Sequence, residues 1–512
     1  MKKFYLLTLA VVGAMAAACT PAEEQEQVKA PDQAYLSYFG FKAAEGVFST
    51  DVKVESPVAG TIIKFETPVG TPDSCYTALV PVFAVTDTTA VVTDAEGELV
   101  VSGVARDFSK DVDLYVTVTN EAGEKTSMYT VSVKAKGALT WTLAAEGSKE
   151  LTDSTKGDVV MAINPVDGLP YIATKLYGAG GQYPMVYKFD GSDLKPAVGN
   201  SAILKDEKSD VISMGFDKAG NIYAAYREYK VTNHTAVLKL ANNTATFLGD
   251  STGAAFSPYP GSPAAIFPAG DNGIWVAQQA GDKKHATIPQ RTLCLAKWDG
   301  SSWEAGKSIS ADRPADAYAY YTIAAHSKGV DYLMTYNQNY NSVSVYKLDA
   351  NGSWSTVVEG LQFKNTSGEI AQTYLSYNMD FDVASNGDIY FCLGADFSVE
   401  GQYNVAVVRY RPSDQSQTII GGVTEHLKNK DRYFSVALDA NDTPYLAFRN
   451  SLEGNDKLYV RYIDNKTKTW SQAVCISDNT VAAPIIRFNE AGEAFIAVQS
   501  DDNKRVQVYK AN

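Results

Sequence analysis

One pattern recurs seven times along the chain and limits what the chain can fold into. In each copy an apolar strand leads to a short turn, and an aromatic residue then opens a second strand. The turn is preceded by Asn164, Asp217, Asp382, Asp439 and Asn489 in five copies, and by His326 in the fourth. The aromatic residues are 52, 52, 57, 58, 55 and 50 residues apart, and they are Tyr171, Tyr223, Trp275, Tyr332, Tyr390, Tyr445 and Phe495. Since each copy has room for four short antiparallel strands, the repeat predicts a seven-bladed β-propeller.

The two ends of the repeat region indicate how the ring closes. The seventh copy stops at Asn512, directly after its third strand, so a fourth strand is missing. Residues 139–145, LTWTLAA, lie ahead of the first copy and carry Trp141, and a Trp also marks the fourth strand of other copies. We therefore predict that this N-terminal strand completes the last blade of a propeller spanning residues 137–512. Such a closure leaves no unpaired strand edge.

Residues 31–136 have a different pattern, with short strands and no copy of the repeat. Turn signals that contain Gly separate strands at intervals of about 8–12 residues, which is typical of a β-sandwich. Apolar and polar residues alternate in 61–65, 79–85, 114–118 and 129–133. We expect an Ig-like β-sandwich here, acting either as a spacer or as an adhesive domain.

Two stretches resemble known bacterial proteins. The long hairpin of residues 112–136, VDLYVTVTNEAGEKTSMYTVSVKAK, is similar to the Ig-like domains at the N-termini of many Bacteroidetes surface lipoproteins. Residues 437–445, ALDANDTPY, resemble the ALDANGTPY-like units of uncharacterised bacterial propellers. The first resemblance implies a surface lipoprotein, and the second implies a fold without an activity.

The N-terminus has the pattern of an export signal. A short basic start precedes an apolar run over residues 4–18, which is typical of a secretory signal peptide, and we assign residues 1–18 to it. Small residues lead up to Cys19, which resembles the lipobox of bacterial lipoproteins and implies a lipid anchor on Cys19 in the outer membrane. The acidic tether of residues 19–30 resembles the surface-export signal of Bacteroidetes lipoproteins, which implies a location facing the cell exterior. Cleavage after Ala18 without lipidation is the alternative.

Charge and cysteine usage exclude further classes. The formal net charge is −14, from 45 Lys and Arg against 59 Asp and Glu, and no basic run is present, so nucleic-acid binding is not expected. Beyond Cys19, four cysteines stand in strand-like apolar stretches without a CxxC spacing. We expect these four to be buried core residues rather than disulfides, and they are Cys75, Cys294, Cys392 and Cys475.

The seven copies also serve as internal controls, because what recurs is scaffold and what departs from the repeat is a candidate for function. The turns after strands one and three of a blade lie on one face, and the loops after strand two and between blades lie on the other. Those loops vary in length and concentrate Tyr and Arg, so we predict that a ligand docks there, over the central channel. Tyr rings with Arg suit the stacking and hydrogen bonding of a sugar, and Tyr-rich loops suit a protein ligand equally well. The predicted contacts are Arg227, Tyr229, Tyr318, Tyr320, Tyr340, Tyr377 and Arg449.

Signatures of catalysis are sparse. The four His residues include no metal-binding pair such as HExxH, and no GxSxG, P-loop or dinucleotide motif is present, so we expect neither a metal nor a cofactor. The favoured interpretation is a cell-surface lipoprotein that binds an extracellular glycan or mediates adhesion. A propeller-fold polysaccharide lyase or glycosidase is the first alternative. A protein-interaction module of an outer-membrane assembly is the second.

Overall fold

The chain folds almost entirely into β-strands. The structure is a computed structural model that describes residues 32–147, 154–155, 159–178, 181–198, 209–228, 234–249, 261–280, 293–309, 319–337, 340–371, 379–397, 404–426, 433–450, 456–482, 484–500 and 505–512. Within these ranges the elements are β-strands and one short 3-10 helix, Asp73–Tyr76. No helix described there has the length and apolar character of a membrane span.

Seven strands precede the repeat region and form two sheets on one core. They are Leu36–Phe41 (β1), Val52–Glu55 (β2), Ile62–Thr67 (β3), Pro81–Val85 (β4), Val91–Thr93 (β5), Val112–Asn120 (β6) and Gly123–Ala135 (β7). The sheet orders are β2-β1-β4 and β3-β7-β6-β5, and β3 runs parallel to β7. Alternate residues of β3 and β6 are buried because the two sheets pack face to face. Phe39, Phe41, Phe65 and Phe108 meet in the shared core. We call this unit the sandwich.

The repeat region begins with Trp141–Glu146 (β8), and the strands after it fall into groups that we number sheets 1 to 7. Sheet 1 contains Ser154–Thr155 (β9), Val160–Ile163 (β10), Pro170–Gly178 (β11), Gly181–Phe189 (β12) and Leu194–Pro196 (β13). Sheet 2 contains Ser209–Phe216 (β14), Ile222–Glu228 (β15), Thr235–Ala241 (β16) and Thr244–Phe247 (β17). Sheet 3 contains Gly261–Pro268 (β18), Ile274–Ala280 (β19), Leu293–Trp298 (β20) and Trp303–Ser308 (β21). Sheet 4 contains Ala319–Ser327 (β22), Val330–Asn337 (β23), Ser342–Leu348 (β24) and Trp354–Leu361 (β25).

The remaining strands form three more groups of the same kind. Sheet 5 contains Met379–Val383 (β26), Ile389–Ala395 (β27), Asn404–Arg411 (β28) and Ser416–His426 (β29). Sheet 6 contains Phe434–Leu438 (β30), Pro444–Asn450 (β31), Lys457–Asp464 (β32), Thr469–Trp470 (β33) and Val474–Thr480 (β34), and a bridge between β33 and β29 joins it to sheet 5. Sheet 7 contains Ile485–Phe488 (β35), Ala494–Gln499 (β36) and Val506–Ala511 (β37), with β8 beside β37.

The sheets follow one another in a closed ring. The first strand of each sheet contacts the first strand of the next, from β10 through β14, β18, β22, β26 and β30 to β35, and β35 contacts β10. Neighbouring sheets share buried apolar clusters all the way round; Phe189 of sheet 1, for example, meets Phe495 of sheet 7. This burial is the main contribution that stabilises the ring.

The strand pairing predicted at the two ends of the repeat region is present. β8 runs antiparallel to β37, with Trp141 opposite Ala511 and Ala145 opposite Val508. Backbone hydrogen bonds in both directions between Thr140 and Asn512 extend the pairing. Sheet 7 is therefore completed by a strand from the N-terminal side of the repeats.

The turns after the first strands show that two copies of the repeat are matched incorrectly at the turn position. Asp217 and Asp439 are fully buried and open their turns, as the repeat predicts. In sheet 5, however, this position belongs to Ala384, and Asp382 lies within β26 opposite Tyr390. His326 likewise lies within β22 rather than in the turn, and its ring hydrogen-bonds Asp331.

The prediction of four buried cysteines is half wrong. Cys294 and Cys392 are buried, and burial raises the pKa of Cys294 to about 12. Cys75 and Cys475 are exposed, and Cys75 belongs to the 3-10 helix instead of a strand. All four are free thiols in the structure.

Candidate functional site

The structure describes four of the seven predicted contact residues, and they lie on different sheets. Arg227 is in β15 of sheet 2, and Tyr320 is in β22 of sheet 4. Tyr340 precedes β24, and Arg449 is in β31 of sheet 6. The other three, Tyr229, Tyr318 and Tyr377, lie outside the described residues.

Tyr340 has the geometry of a stacking platform. The residue is 50% exposed and lies in the connection between β23 and β24. Its backbone N–H donates to Asn337 Oδ1 at 3.3 Å, and its carbonyl accepts from Gln362 Nε2 at 2.8 Å. Within the described part of the chain, the Tyr340 hydroxyl makes no hydrogen bond. The backbone is thus held from two sides while the ring stays open to solvent.

The segment after β25 supports this platform. Asn341, which has a φ of 51°, donates from Nδ2 to the carbonyl of Ala371 at 2.8 Å. Phe363 and Ala371 are buried, and Phe363 makes an edge contact with Phe391 at 5.2 Å. Because this segment continues from the outermost strand of sheet 4, Tyr340 lies near the rim of the ring. That position differs from the predicted one over the channel.

Gln362 is the polar neighbour of the platform. It is exposed, and one of its amide N–H groups is used on the Tyr340 carbonyl. An amide has a second N–H and a carbonyl oxygen with which to bind a hydroxyl group. Gln417 anchors the same segment, since its Nε2 donates to the Gln362 carbonyl at 2.9 Å and its Oε1 accepts from Lys364 N at 3.2 Å.

Arg449 has a different environment from the one the loop pattern suggested. Its guanidinium lies 4.1 Å from the ring centroid of Tyr433 and 2.5 Å from the Asp456 carboxylate. Only 13% of its side chain is exposed. The charge of Arg449 is therefore already balanced within the protein, and its planar face is stacked.

A charged cluster that the sequence analysis missed joins three first strands. Arg487 of β35 donates two hydrogen bonds to Asp380 of β26, at 3.0 and 3.1 Å. Ser435 of β30 lies between them, and its hydroxyl donates to the same carboxylate. Asp382 of β26 accepts from Leu438 N at 2.8 Å, and burial raises the pKa of this carboxyl despite that bond.

Two members of the cluster, Asp382 and Arg487, occupy the same position in their copies of the repeat, where the other copies have no charged residue. The residue opposite the aromatic residue that opens the second strand is small or apolar in five sheets and charged in sheets 5 and 7: Ala162, Gly215, Phe267, Ala325, Asp382, Ala437 and Arg487. In five copies this residue lies eight positions before the aromatic one, as 382 does before 390. That offset is the signal by which the sequence could have revealed it.

The ring of sheets and the sandwich define an all-β protein of the β-propeller class. No protein-family model and no curated protein matches the chain. Among solved structures, polysaccharide lyase Uly1 has a TM-score of 0.42 at 10% identity, over 71% of this chain and 90% of that one. A mutant of NanB sialidase from Streptococcus pneumoniae gives 0.39 at 11% identity, over 94% and 93%. A mutant Aleuria aurantia lectin in complex with Fucalpha1-6GlcNAc gives 0.36 at 12%, over 59% and 91%. Similarities this low do not indicate a shared activity.

Proposed function

We propose that the protein is a cell-surface lipoprotein in which an Ig-like sandwich carries a seven-bladed propeller that binds an extracellular glycan. The seven sheets in a closed cycle and the pairing of β8 with β37 support the blade number. The two face-to-face sheets ahead of them support the Ig-like unit. The proposal that the ligand is a glycan rests on one observation, the exposed ring of Tyr340 on a fixed backbone beside Gln362.

A sugar fits this pair of residues for a physical reason. One face of a pyranose ring carries C–H groups that stack on an aromatic ring, while its hydroxyls need hydrogen-bond partners at the edge. Tyr340 supplies the ring and Gln362 the partner. A platform that is already rigid loses little conformational entropy when a ligand binds.

Retention of the protein on a panel of immobilised polysaccharides tests this proposal. Tyr340→Ala should weaken retention about tenfold to a hundredfold, the range of an interface hot spot, whereas Tyr340→Phe keeps the ring and should bind. Tyr35→Ala is the matched control, because Tyr35 is 41% exposed but belongs to the sandwich. Equal retention of all variants on every bound polysaccharide would refute a site at Tyr340. New reducing ends in the same incubations would instead favour the lyase or glycosidase alternative.

The anchoring part of the proposal rests on residues outside the described ranges. Cys19→Ala removes the thiol that would carry the lipid, so the protein should move from the membrane fraction to the soluble fraction. Fractionation with detection of the folded protein measures this. Continued sedimentation of the variant with outer membranes would contradict the lipid anchor.

A further inference from the structure

We propose that the sandwich docks on the ring through a built interface, which holds the propeller in one orientation with its loop-bearing face pointing away from the chain's N-terminal side. The docking surface of the sandwich consists of residues 46–49 and 68–71. Its partner is the pair of turns in sheet 6, residues 439–443 and 464–468. These turns belong to the face opposite Tyr340, which we call the turn face.

Asn465 is the centre of this interface. Its side-chain amide donates to the Gly46 carbonyl at 2.6 Å and to Thr71 Oγ1 at 2.5 Å. Its backbone N–H donates to the Val69 carbonyl at 2.9 Å. One residue of the ring thus binds two separate loops of the sandwich.

The turn that contains Asn465 is closed by hydrogen bonds to the residue before it. Asp464 opens its turn by accepting backbone N–H groups two and three residues ahead, as Asp190 and Asp299 do in sheets 1 and 3. The residue that follows this Asp is Gly191 in sheet 1 and Gly300 in sheet 3, but those turns are shorter and both glycines have a positive φ, which Asn465 does not. The backbone hydrogen bonds to Asp464 close this turn without the Asn465 amide N–H groups, which bind the sandwich instead.

A second contact ties the sandwich to several sheets at once. The Ser49 hydroxyl donates to the Asp442 carboxylate. Asp442 also accepts from the backbone N–H of Ser385 in sheet 5 at 3.0 Å and lies 3.7 Å from Lys328 Nζ of sheet 4. Lys136, which follows β7, is 3.8 Å from the buried Asp439 carboxylate. Charged and polar groups of the turn face are thus used by the sandwich.

The backbone of the sandwich fits the ring closely at Gly70. This residue has a φ of 81°, and a Cβ there would lie 2.5 Å from Asp464 Oδ2. The direction of the chain follows from β1, which spans about 20 Å and runs from Leu36 toward the docking loops. The N-terminal side therefore lies at the far end of the sandwich, with the turn face next and the Tyr340 face outermost.

Two substitutions separate docking from folding. Asn465→Gly removes the side-chain amide that binds Gly46 and Thr71 and keeps the backbone hydrogen bonds of the turn, so the ring should fold and lose these two contacts. Gly70→Ala adds a clash with Asp464, and Gly97→Ala is its control, since Gly97 has nearly the same φ, 80°, with open space around it. Both alanine variants carry the same backbone penalty.

Calorimetry counts the unfolding transitions, and small-angle X-ray scattering measures the radius of gyration. The parent protein and Gly97→Ala should unfold in one transition with one radius of gyration. Asn465→Gly and Gly70→Ala should unfold in two transitions and show a larger radius, because linked domains without a firm interface move independently. If Asn465→Gly matches the parent in both measurements, or if the parent itself unfolds in two steps with a broad size distribution, the proposal is wrong.

Discussion

Arg487 and Asp380 form a two-pronged ion pair across sheet 6, although they lie 107 residues apart in sequence. Arg487 belongs to sheet 7 and Asp380 to sheet 5, so the pair links sheets that are not neighbours. Ser435 of the intervening sheet completes it, since its hydroxyl also accepts from Ile486 N at 3.1 Å. Parallel N–H donors of a guanidinium match the two oxygens of a carboxylate, which makes this the strongest form of such a pair.

Removing one partner of this pair should be costly. Arg487→Met leaves the Asp380 carboxylate buried without its countercharge, and we expect a loss of about 3–5 kcal/mol in the free energy of unfolding. Lys42→Met is the control, because the side chains of Lys42 and Asp51 are 56% and 53% exposed and a surface pair contributes about 0–1 kcal/mol. Urea denaturation compares the two variants. Equal losses would show that the Arg487 pair adds nothing beyond an exposed one.

The two faces of the ring should respond to mutation in opposite ways. Asp217 is fully buried and accepts from Asn221 N, Asn221 Nδ2 and the Tyr223 hydroxyl at 2.8–2.9 Å. Asp217→Ala leaves these donors unsatisfied, so we expect a loss of about 1–3 kcal/mol in stability with glycan binding unchanged. Tyr340→Ala should weaken glycan binding but change the free energy of unfolding by no more than about 0.5 kcal/mol, as surface substitutions usually do. Loss of binding in the Asp217 variant at temperatures where it is folded would contradict this division.

The stability of the ring should depend on pH through His326. Partial loss of hydration alone would lower the pKa of His326, whose side chain is 47% exposed, but the hydrogen bond to Asp331 at 2.8 Å and the charge of Glu490 at 3.8 Å outweigh this effect and raise the pKa above its ordinary value of 6.5. Protonated His326 is therefore favoured by the folded state. Its contribution is fully present below pH 6.5 and is lost as pH rises through the raised pKa.

His326→Gln is the variant that isolates this effect. The difference in unfolding free energy between the parent protein and His326→Gln should shrink between about pH 5 and about pH 8, across the range in which histidine titrates. Chemical denaturation at several pH values measures it. A difference that grows with pH would mean that the neutral imidazole is the form held by Asp331.

Deleting residues 137–146 should expose the free edge of β37. We expect a loss of several kcal/mol in stability, because each Å² of apolar surface returned to water costs about 25 cal/mol, and aggregation through the unpaired edge. Leu143→Ala is a suitable control, since Leu143 is half exposed within β8. Thermal unfolding and light scattering distinguish the two. If the deletion variant has the melting temperature of the parent protein, the ring must close without the pairing of β8 with β37.

The sequence predicted the fold well because strand signals are local. Alternation of apolar residues and the recurring aromatic residues, such as Tyr223 and Tyr445, marked the strands, and Trp141 marked the strand that pairs with β37. The sequence did not predict in every copy which residue opens the turn. Asp382 looked like the turn residue of its copy, but sheet 5 places Ala384 there and keeps Asp382 inside the strand.

The candidate site was less accessible from sequence. Departure from the repeat identifies Tyr340 as a candidate, but its support by Gln362 and Asn341 depends on contacts across 22 and 30 residues that no local pattern encodes. The loop pattern indicates Arg449 as a contact residue, whereas its pairing with Asp456 and Tyr433 appears only in three dimensions. The contact of Asn465 with Gly46 joins residues 419 apart in sequence, and no local pattern encodes it.

The pairing of β8 with β37 also sets the order in which the protein can reach its native state. During synthesis, β8 emerges early and has no partner until residues 506–511 have been made, since the two strands are about 360 residues apart (|i−j| is 361 between Glu146 and Gln507). Sheets 1 to 6 can form in turn, but sheet 7 and the closed ring cannot. Contacts at such separation slow folding. A nascent or truncated chain that lacks its last strand is therefore an open ring with two exposed ends, the form in which this protein is most vulnerable to proteases and to pairing with a second chain.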